Sequence, residues 1–303
     1  SLLFGSFLCS SLSSLFLARR ISRDLRGDVA HQVTEGRIGF RRGGWHVGLA
    51  TTIILSRLFG ERDLPIVRIN RKDNGTELLS ELIGLFPSVL SSLELGDVNE
   101  AFHAFLDFLA ELTGIAGPRY VVSTACSSSN KVFASARRLI ELGIVDAAVV
   151  GGVDGLCHTT VRGFHGLGVM APEPCRPFGV DRPGMNVGEA AALVLVEREG
   201  EPLAWLRGVG ETSDAYHPSS PDPEGRGALR AMQGALAEAG VAPGEVDHVN
   251  AHGTGTQYND IAESKAIAAL LGTEVPVVST KAYTGHTLGA CGGVEAIFAI
   301  HCL

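Results

Sequence analysis

Charge is scarce in this 303-residue sequence: Asp, Glu, Lys and Arg make up 19%, against 45% apolar residues. That balance excludes a disordered or collagen-like chain, because there is ample apolar surface to bury. The six cysteines have irregular spacing and no C-x-x-C pair. A disulfide mini-scaffold is therefore excluded, and reduced thiols in the cytoplasm are expected. No Cys/His pair has zinc-finger spacing, so no metal is expected. There is no Walker A motif, and no G-x-G-x-x-G follows a strand, which removes the usual phosphate and dinucleotide cradles. No repeat of 20–50 residues stands out.

The apolar stretch Ser1 to Leu17 is followed, not preceded, by Arg19 and Arg20. A signal peptide has the opposite order. The run is also short and broken by serines, so it predicts a buried segment and no membrane span, with a membrane-associated segment as the alternative. The net charge of −8 is unevenly placed. Residues 1–72 hold 12 of the 25 Lys and Arg and 5 of the 33 Asp and Glu, a net of +7; the remainder carries −15. A basic arm could meet an acidic partner. Its few aromatics (Phe40, Trp45, Phe59) make a poor nucleic-acid surface, and no nucleic acid is expected.

Glycine is abundant, at 38 residues. From residue 119 onward the pattern alternates strand and helix, which predicts a layered α/β core. Tyr120 to Ser123 reads as a short strand. Residues 127–142 place Val132, Phe133, Ala136, Leu139 and Ile140 on one helical face, with Gly143 at the helix stop. Strands are expected at 145–150, 191–196, 246–250 and 276–279. Helices are expected at 226–239 and up to Leu271, the latter opened by Asp260 and Glu263. The nearly uncharged stretch 287–302 predicts a buried helix. Residues 76–115 read as helical, and 18–45 show little periodicity.

Three side chains stand out chemically. Cys126 lies between a strand and a helix, flanked by Ala125 and Ser127. Helix N–H groups there favour thiolate over thiol and can receive an oxyanion; a small buried residue in a tight turn is an equally plain reading. His252 follows a strand in Asn250-Ala-His-Gly-Thr-Gly-Thr256, where glycines open the backbone; a lone loop histidine is also commonly an ordinary polar residue. His286 opens an apolar helix, five residues after Lys281. Glu295 lies within that helix, and a buried carboxylate needs a cation.

Taken together, these segments resemble the elongating β-ketoacyl-ACP synthases of fatty-acid and polyketide synthesis. Thr124-Ala-Cys-Ser-Ser-Ser129 looks like the family's nucleophile turn. The His252 motif, Ser279-Thr-Lys281 with Gly285-His286, and Cys175 to Ala192 follow in the family's order. The resemblance implies a thiolase-like fold of five α-β-α-β-α layers, usually a homodimer, with a heterodimer of related synthases as the variant. It implies catalysis by Cys126, His252, His286 and Lys281, supported by Glu295, Thr254, Thr256 and Thr284. Cys126 would hold the acyl group, and the histidines would stabilise the enolate left when malonyl-ACP loses CO2. No cofactor is implied: phosphopantetheine arrives on the acyl carrier protein, the expected partner alongside acyl and malonyl thioesters.

The sequence also departs from the family. Ala190 stands for a glycine and Cys291 for an alanine. The family's opening strand is not recognisable in residues 1–75, and its glycine-rich closing stretch, which helps form the oxyanion hole, would follow Leu303. Three units are thus expected: a divergent segment 1–75, a nucleophile-bearing half 76–198, and a second half 199–303 whose sheet lacks strands. A catalytically inactive fragment or partner subunit is the alternative reading. A thiol hydrolase using Cys126 is a third.

Overall fold

In the second half, strand β5 (Leu206–Ser213) carries Gly208 and Gly210 on the face that meets helix α4 (Arg226–Ala239). A Cβ on Gly210 would lie 1.7 Å from the carbonyl oxygen of Ala231, and one on Gly208 would lie 2.3 Å from that of Ala235. Glycine therefore sets how closely strand and helix approach. Buried Ala228, Ala231, Met232, Ala235 and Leu236 fill the seam, and helix α5 (Gln257–Leu271) adds Ala266 and Ile267 against Val249 of strand β6 (His248–Asn250).

The computed structural model describes residues 2–9, 12–18 and 98–303 except 201 and 218, with backbone alone up to 104. The stretch 19–45, the rest of the basic segment, and the part of the expected helical region before 98 lie outside the described residues. Within that region α1 spans Val98–Thr113.

Residues 2–18 form two strands, β1 (Leu2–Cys9) and β2 (Leu12–Ala18), paired antiparallel. They lie inside the second-half sheet, whose order is β5-β1-β2-β6-β7, with β7 at Val277–Val278. β1 runs parallel to β5, from Leu2 opposite Leu206 to Leu8 opposite Ser213, and β2 runs antiparallel to β6. Among the described residues the sheet has five strands: residues 199–303 supply three, and the opening segment supplies the other two. Strand pairing takes up backbone groups of this apolar stretch.

The first half contains helix α2 (Ser128–Glu141), strand β3 (Ala147–Asp154), helix α3 (His158–Gly166) and strand β4 (Ala190–Glu197). β3 and β4 pair antiparallel over all eight residues. Tyr120 to Ser123, expected as a strand, has no strand pairing; only an isolated bridge joins Thr124 and Cys126. Short β6 and β7 are followed by helix α6 (Lys281–Thr284), a 3-10 turn (Leu288–Ala290) and helix α7 (Cys291–His301). The expected helix at 287–302 thus begins with a tighter turn.

α2 and α7 touch each other and both sheets. Their shared core is Phe133, Ala136, Val150, Ala296 and Ala299. The two helices that carry the chemically marked residues at their N-terminal ends are therefore the layer between the sheets. Among the described residues no helix is long and apolar enough to cross a membrane.

Candidate active site

Cys126 sits on a strained turn. Ala125, just before it, has φ +54°, a left-handed conformation uncommon for a residue with a Cβ. Serine hydroxyls hold this turn. Ser127 Oγ donates to the carbonyl of Thr124 (2.8 Å), and Ser128 Oγ donates to that of Ala125 (2.6 Å) while accepting from the Thr124 N–H (2.9 Å). Ser129 Oγ accepts from the N–H of Gly293, tying the turn to α7 (3.0 Å). The local run of serines is thus a set of backbone locks.

The Cys126 sulfur lies 3.1 Å from Nε2 of His286. The other nitrogen of that ring, Nδ1, accepts from the Leu288 N–H at 3.2 Å. An accepting Nδ1 carries no proton, so the neutral ring carries it on Nε2 and points a donor at Cys126. His252 meets His286 edge to face, with ring centroids 5.0 Å apart. One ligand atom from each of Cys126, His252 and His286 lies within 4.8 Å of the other two. Both histidines are 2% exposed. Burial, first, and then the Lys281 ammonium hold both rings well below the usual imidazole range, with His286 adding to the effect on His252.

Lys281 and Glu295 form a buried ion pair, each side chain 2% exposed. Burial pushes Lys281 down, but Cys291 and Glu295 outweigh it and the ammonium is held above its ordinary range. Burial raises Glu295 to about 7 against the opposing pull of Lys281. The positive charge that acts on both histidine rings is the Lys281 ammonium, held in place by Glu295.

Two segments hold the histidine loops. The first is Cys175 to Ala192. His286 N donates to the carbonyl of Asn186 (2.7 Å), Gly188 N donates to that of His286 (3.0 Å), and Gly184 N donates to that of Gly255 (3.1 Å). The Cys175 thiol, its pKa raised by burial, donates to the carbonyl of Lys281 (3.1 Å). The second is the start of α5. Glu263 accepts from the N–H of His252 (2.6 Å) and of Gly253 (2.8 Å), one oxygen each. Asp260 accepts from Gly255 N (3.2 Å) and Phe178 N (2.7 Å). Burial raises Glu263 to about 7, although the N–H groups of Gly253 and His252 oppose the shift.

A cavity of about 530 Å³ opens beside Cys126, walled largely by apolar groups including Leu109, Val122, Val132, Leu139 and Phe164. It can hold an apolar chain next to the thiol.

Comparison with known proteins gives this geometry a family. The model for "Beta-ketoacyl synthase, N-terminal domain" matches residues 108–201, and that for "Beta-ketoacyl synthase, C-terminal domain" matches residues 203–303. The chain belongs to the β-ketoacyl synthase family. It is 38% identical over 202 residues to 3-oxoacyl-[acyl-carrier-protein] synthase 2 of Staphylococcus aureus, covering 61% of this chain and 50% of that one. To the synthase 2 of Mycobacterium bovis it is 40% identical over 193 residues, covering 58% and 46%. This β-ketoacyl synthase chain therefore spans about half the length of the curated relatives it matches. Among solved structures it resembles the ketosynthase ApeO in complex with its chain length factor ApeC from Xenorhabdus doucetiae (TM-score 0.62, 44% identity, 73% of this chain and 56% of that one). It also resembles a β-ketoacyl synthase from Burkholderia phymatum (TM-score 0.62, 31% identity, 73% and 58%). The fold is the mixed α/β, thiolase-like fold of these ketosynthases.

Of the residues singled out in this synthase's sequence, Cys126, His252 and His286 come together, and Lys281 and Glu295 pair behind them. Thr254 and Thr256 contact one another through their hydroxyls (2.9 Å) in the His252 loop. The Thr284 hydroxyl lies 2.8 Å from the carbonyl oxygen of Gly285, bonding within the turn before His286. Sequence reasoning took Asp260 and Glu263 only as helix openers. Their second task, clamping the His252 loop, was signalled by two acids directly after a glycine-rich histidine loop.

Proposed function

We propose that this chain condenses an acyl thioester with malonyl-ACP, with loss of CO2, to give β-ketoacyl-ACP. The observation that carries the reading is the Leu288–His286–Cys126 chain of contacts at the wall of an apolar cavity. The Cys126 thiolate attacks the acyl thioester carbonyl, the carrier thiol leaves, and the acyl chain lies in the cavity. Malonyl-ACP then breaks its bond to the carboxylate, and the electron pair moves onto the thioester oxygen. Nε2–H of His286, which faces the Cys126 sulfur, would donate to that oxygen, with His252 beside it and Lys281 adding positive potential. The enolate carbon attacks the acyl-Cys126 carbonyl, and the thiolate departs. Glu295, Thr254, Thr256 and Thr284 support the site.

The acyl carrier protein supplies phosphopantetheine as substrate arm, so the reading requires no resident cofactor. The ApeO–ApeC complex of a ketosynthase with its chain length factor supports a two-subunit assembly, and a second copy of this chain is the other dimer proposed. The described halves fit five stacked layers, and the cysteines fit a reducing cytoplasm. Retention of Cys126 beside His286 argues against a partner subunit without turnover.

Incubation with acyl-ACP and malonyl-ACP tests the proposal. The expected result is an acyl adduct on Cys126 by mass spectrometry, followed by CO2 and ketoacyl product on adding malonyl-ACP. Absence of the adduct overturns it.

A further inference from the structure

The site contains a second thiol that the condensation does not use. Cys291 opens α7, is buried, and donates toward the carbonyl oxygen of Cys126 at 3.6 Å. It also lies 3.8 Å from Glu295 Oε2. A ring nitrogen of His252 lies within 4.8 Å of the Cys126 sulfur, and one lies within 4.8 Å of the Cys291 sulfur. Both cysteines are reduced. Their surroundings differ in access: Cys126 lines the cavity and is partly exposed, whereas Cys291 is sealed behind it.

We propose that Cys291 is a resolving cysteine for Cys126, converting peroxide damage at the nucleophile into a reversible Cys126–Cys291 disulfide. A hydroperoxide reaching Cys126 through the cavity oxidises its thiol to a sulfenic acid, with release of water or alcohol. The Cys291 sulfur then attacks the Cys126 sulfur. The S–S bond forms, the S–O bond breaks, and the Cys291 proton leaves with the hydroxide as water. Geometry favours this partner. The Cys291 sulfur already touches the Cys126 backbone, and the Cys126 side chain pivots about that same residue's Cα. The disulfide requires rotation about χ1 of Cys126, which releases its sulfur from His286. Cys126 lies just ahead of α2 and Cys291 is the first residue of α7, so both thiols stand at helix starts. Without a nearby second thiol, the sulfenic acid is left open to further oxidation to sulfinic acid.

The inference concerns the two thiols alone, so it stands apart from the condensation reading. Its test reads mass, not turnover. The protein is treated with hydrogen peroxide, digested without reductant, and analysed by mass spectrometry. The expected product is a dithiothreitol-sensitive peptide pair linking Cys126 to Cys291. Cys291→Ala and Cys291→Ser should each accumulate about tenfold more sulfinic acid at Cys126 at equal peroxide dose. Overturning results are absence of the linked pair in wild type, equal sulfinic acid in wild type and variants, or linkage of Cys126 to Cys157 or Cys302 instead. The wild-type peptide pair decides the matter even where a variant fails to fold.

Discussion

The backbone N–H of Leu288 donates to Nδ1 of His286, and the opposite nitrogen of that ring faces the Cys126 sulfur. The ring is thereby set as a donor toward the nucleophile, which under the proposed condensation suits it to stabilise negative charge and not to remove a proton. Replacing His286 with Ala should slow CO2 release by about 10²–10³-fold, the cost of one oxyanion donor. Acyl transfer to Cys126 should persist. His286→Gln, which keeps an N–H donor, should recover part of the rate. Parallel measurement of CO2 release and of the acyl adduct checks both arms; equal loss in both would contradict the donor role.

The Lys281–Glu295 pair is buried, so removing one partner strands the other's charge. Lys281→Met or Glu295→Leu alone should cost about 3–5 kcal/mol of stability. The double replacement should recover most of that loss, because two apolar side chains need no counter-ion. Denaturant unfolding of the three variants measures this. Condensation should stay low in the double variant, since the positive charge behind the histidines is gone.

Glu263 supplies a pH test. Its carboxyl is raised to about 7 in the fold, above the ordinary value of 4.5. Between those values the folded chain binds more of this proton than the unfolded chain does, so this group lowers stability as pH rises across the window. Glu263→Gln removes that dependence. The variant puts at risk the two bonds that the carboxyl accepts from the backbone N–H groups of His252 and Gly253. Even so, its stability relative to wild type should improve steadily from pH about 4.5 to about 7. Melting curves at several pH values check it; His252, His286 and Glu295 are common to both proteins and cancel in the difference.

Gly188 lies against the turn that carries His286. A Cβ there would stand 2.2 Å from the carbonyl oxygen of Thr284. Gly188→Ala must push that turn away, at about 1–3 kcal/mol as for other overpacking. Activity should fall at least about tenfold, since catalysis is sensitive to small misplacements. Thermal unfolding and steady-state rates together separate this from global unfolding.

Much of the site could be read from local signals. The serine-flanked cysteine, the glycine-flanked histidine and the uncharged helix after His286 each show within a few residues. Helix α4 ends where Gly240 adopts φ +63°, as its sequence position predicts. What escaped depends on distant partners. Tyr120 to Ser123 has strand-forming residues, but strand state needs a neighbour, and the described chain offers none. The opening segment pairs with β5, about 200 residues away, and no local pattern encodes that. Glu263 looks like any helix-opening acid until the loop it clamps is folded back against it.

The place of β1 and β2 has a consequence for assembly. They are made well before their partners, Leu206–Ser213 and His248–Asn250. Their outer edges stay unpaired until those partners are made. Closing the sheet therefore requires a long-range search, which slows folding and exposes an apolar hairpin to aggregation. Yield of soluble protein should thus hinge on what shields seventeen residues during translation as much as on the catalytic core they complete.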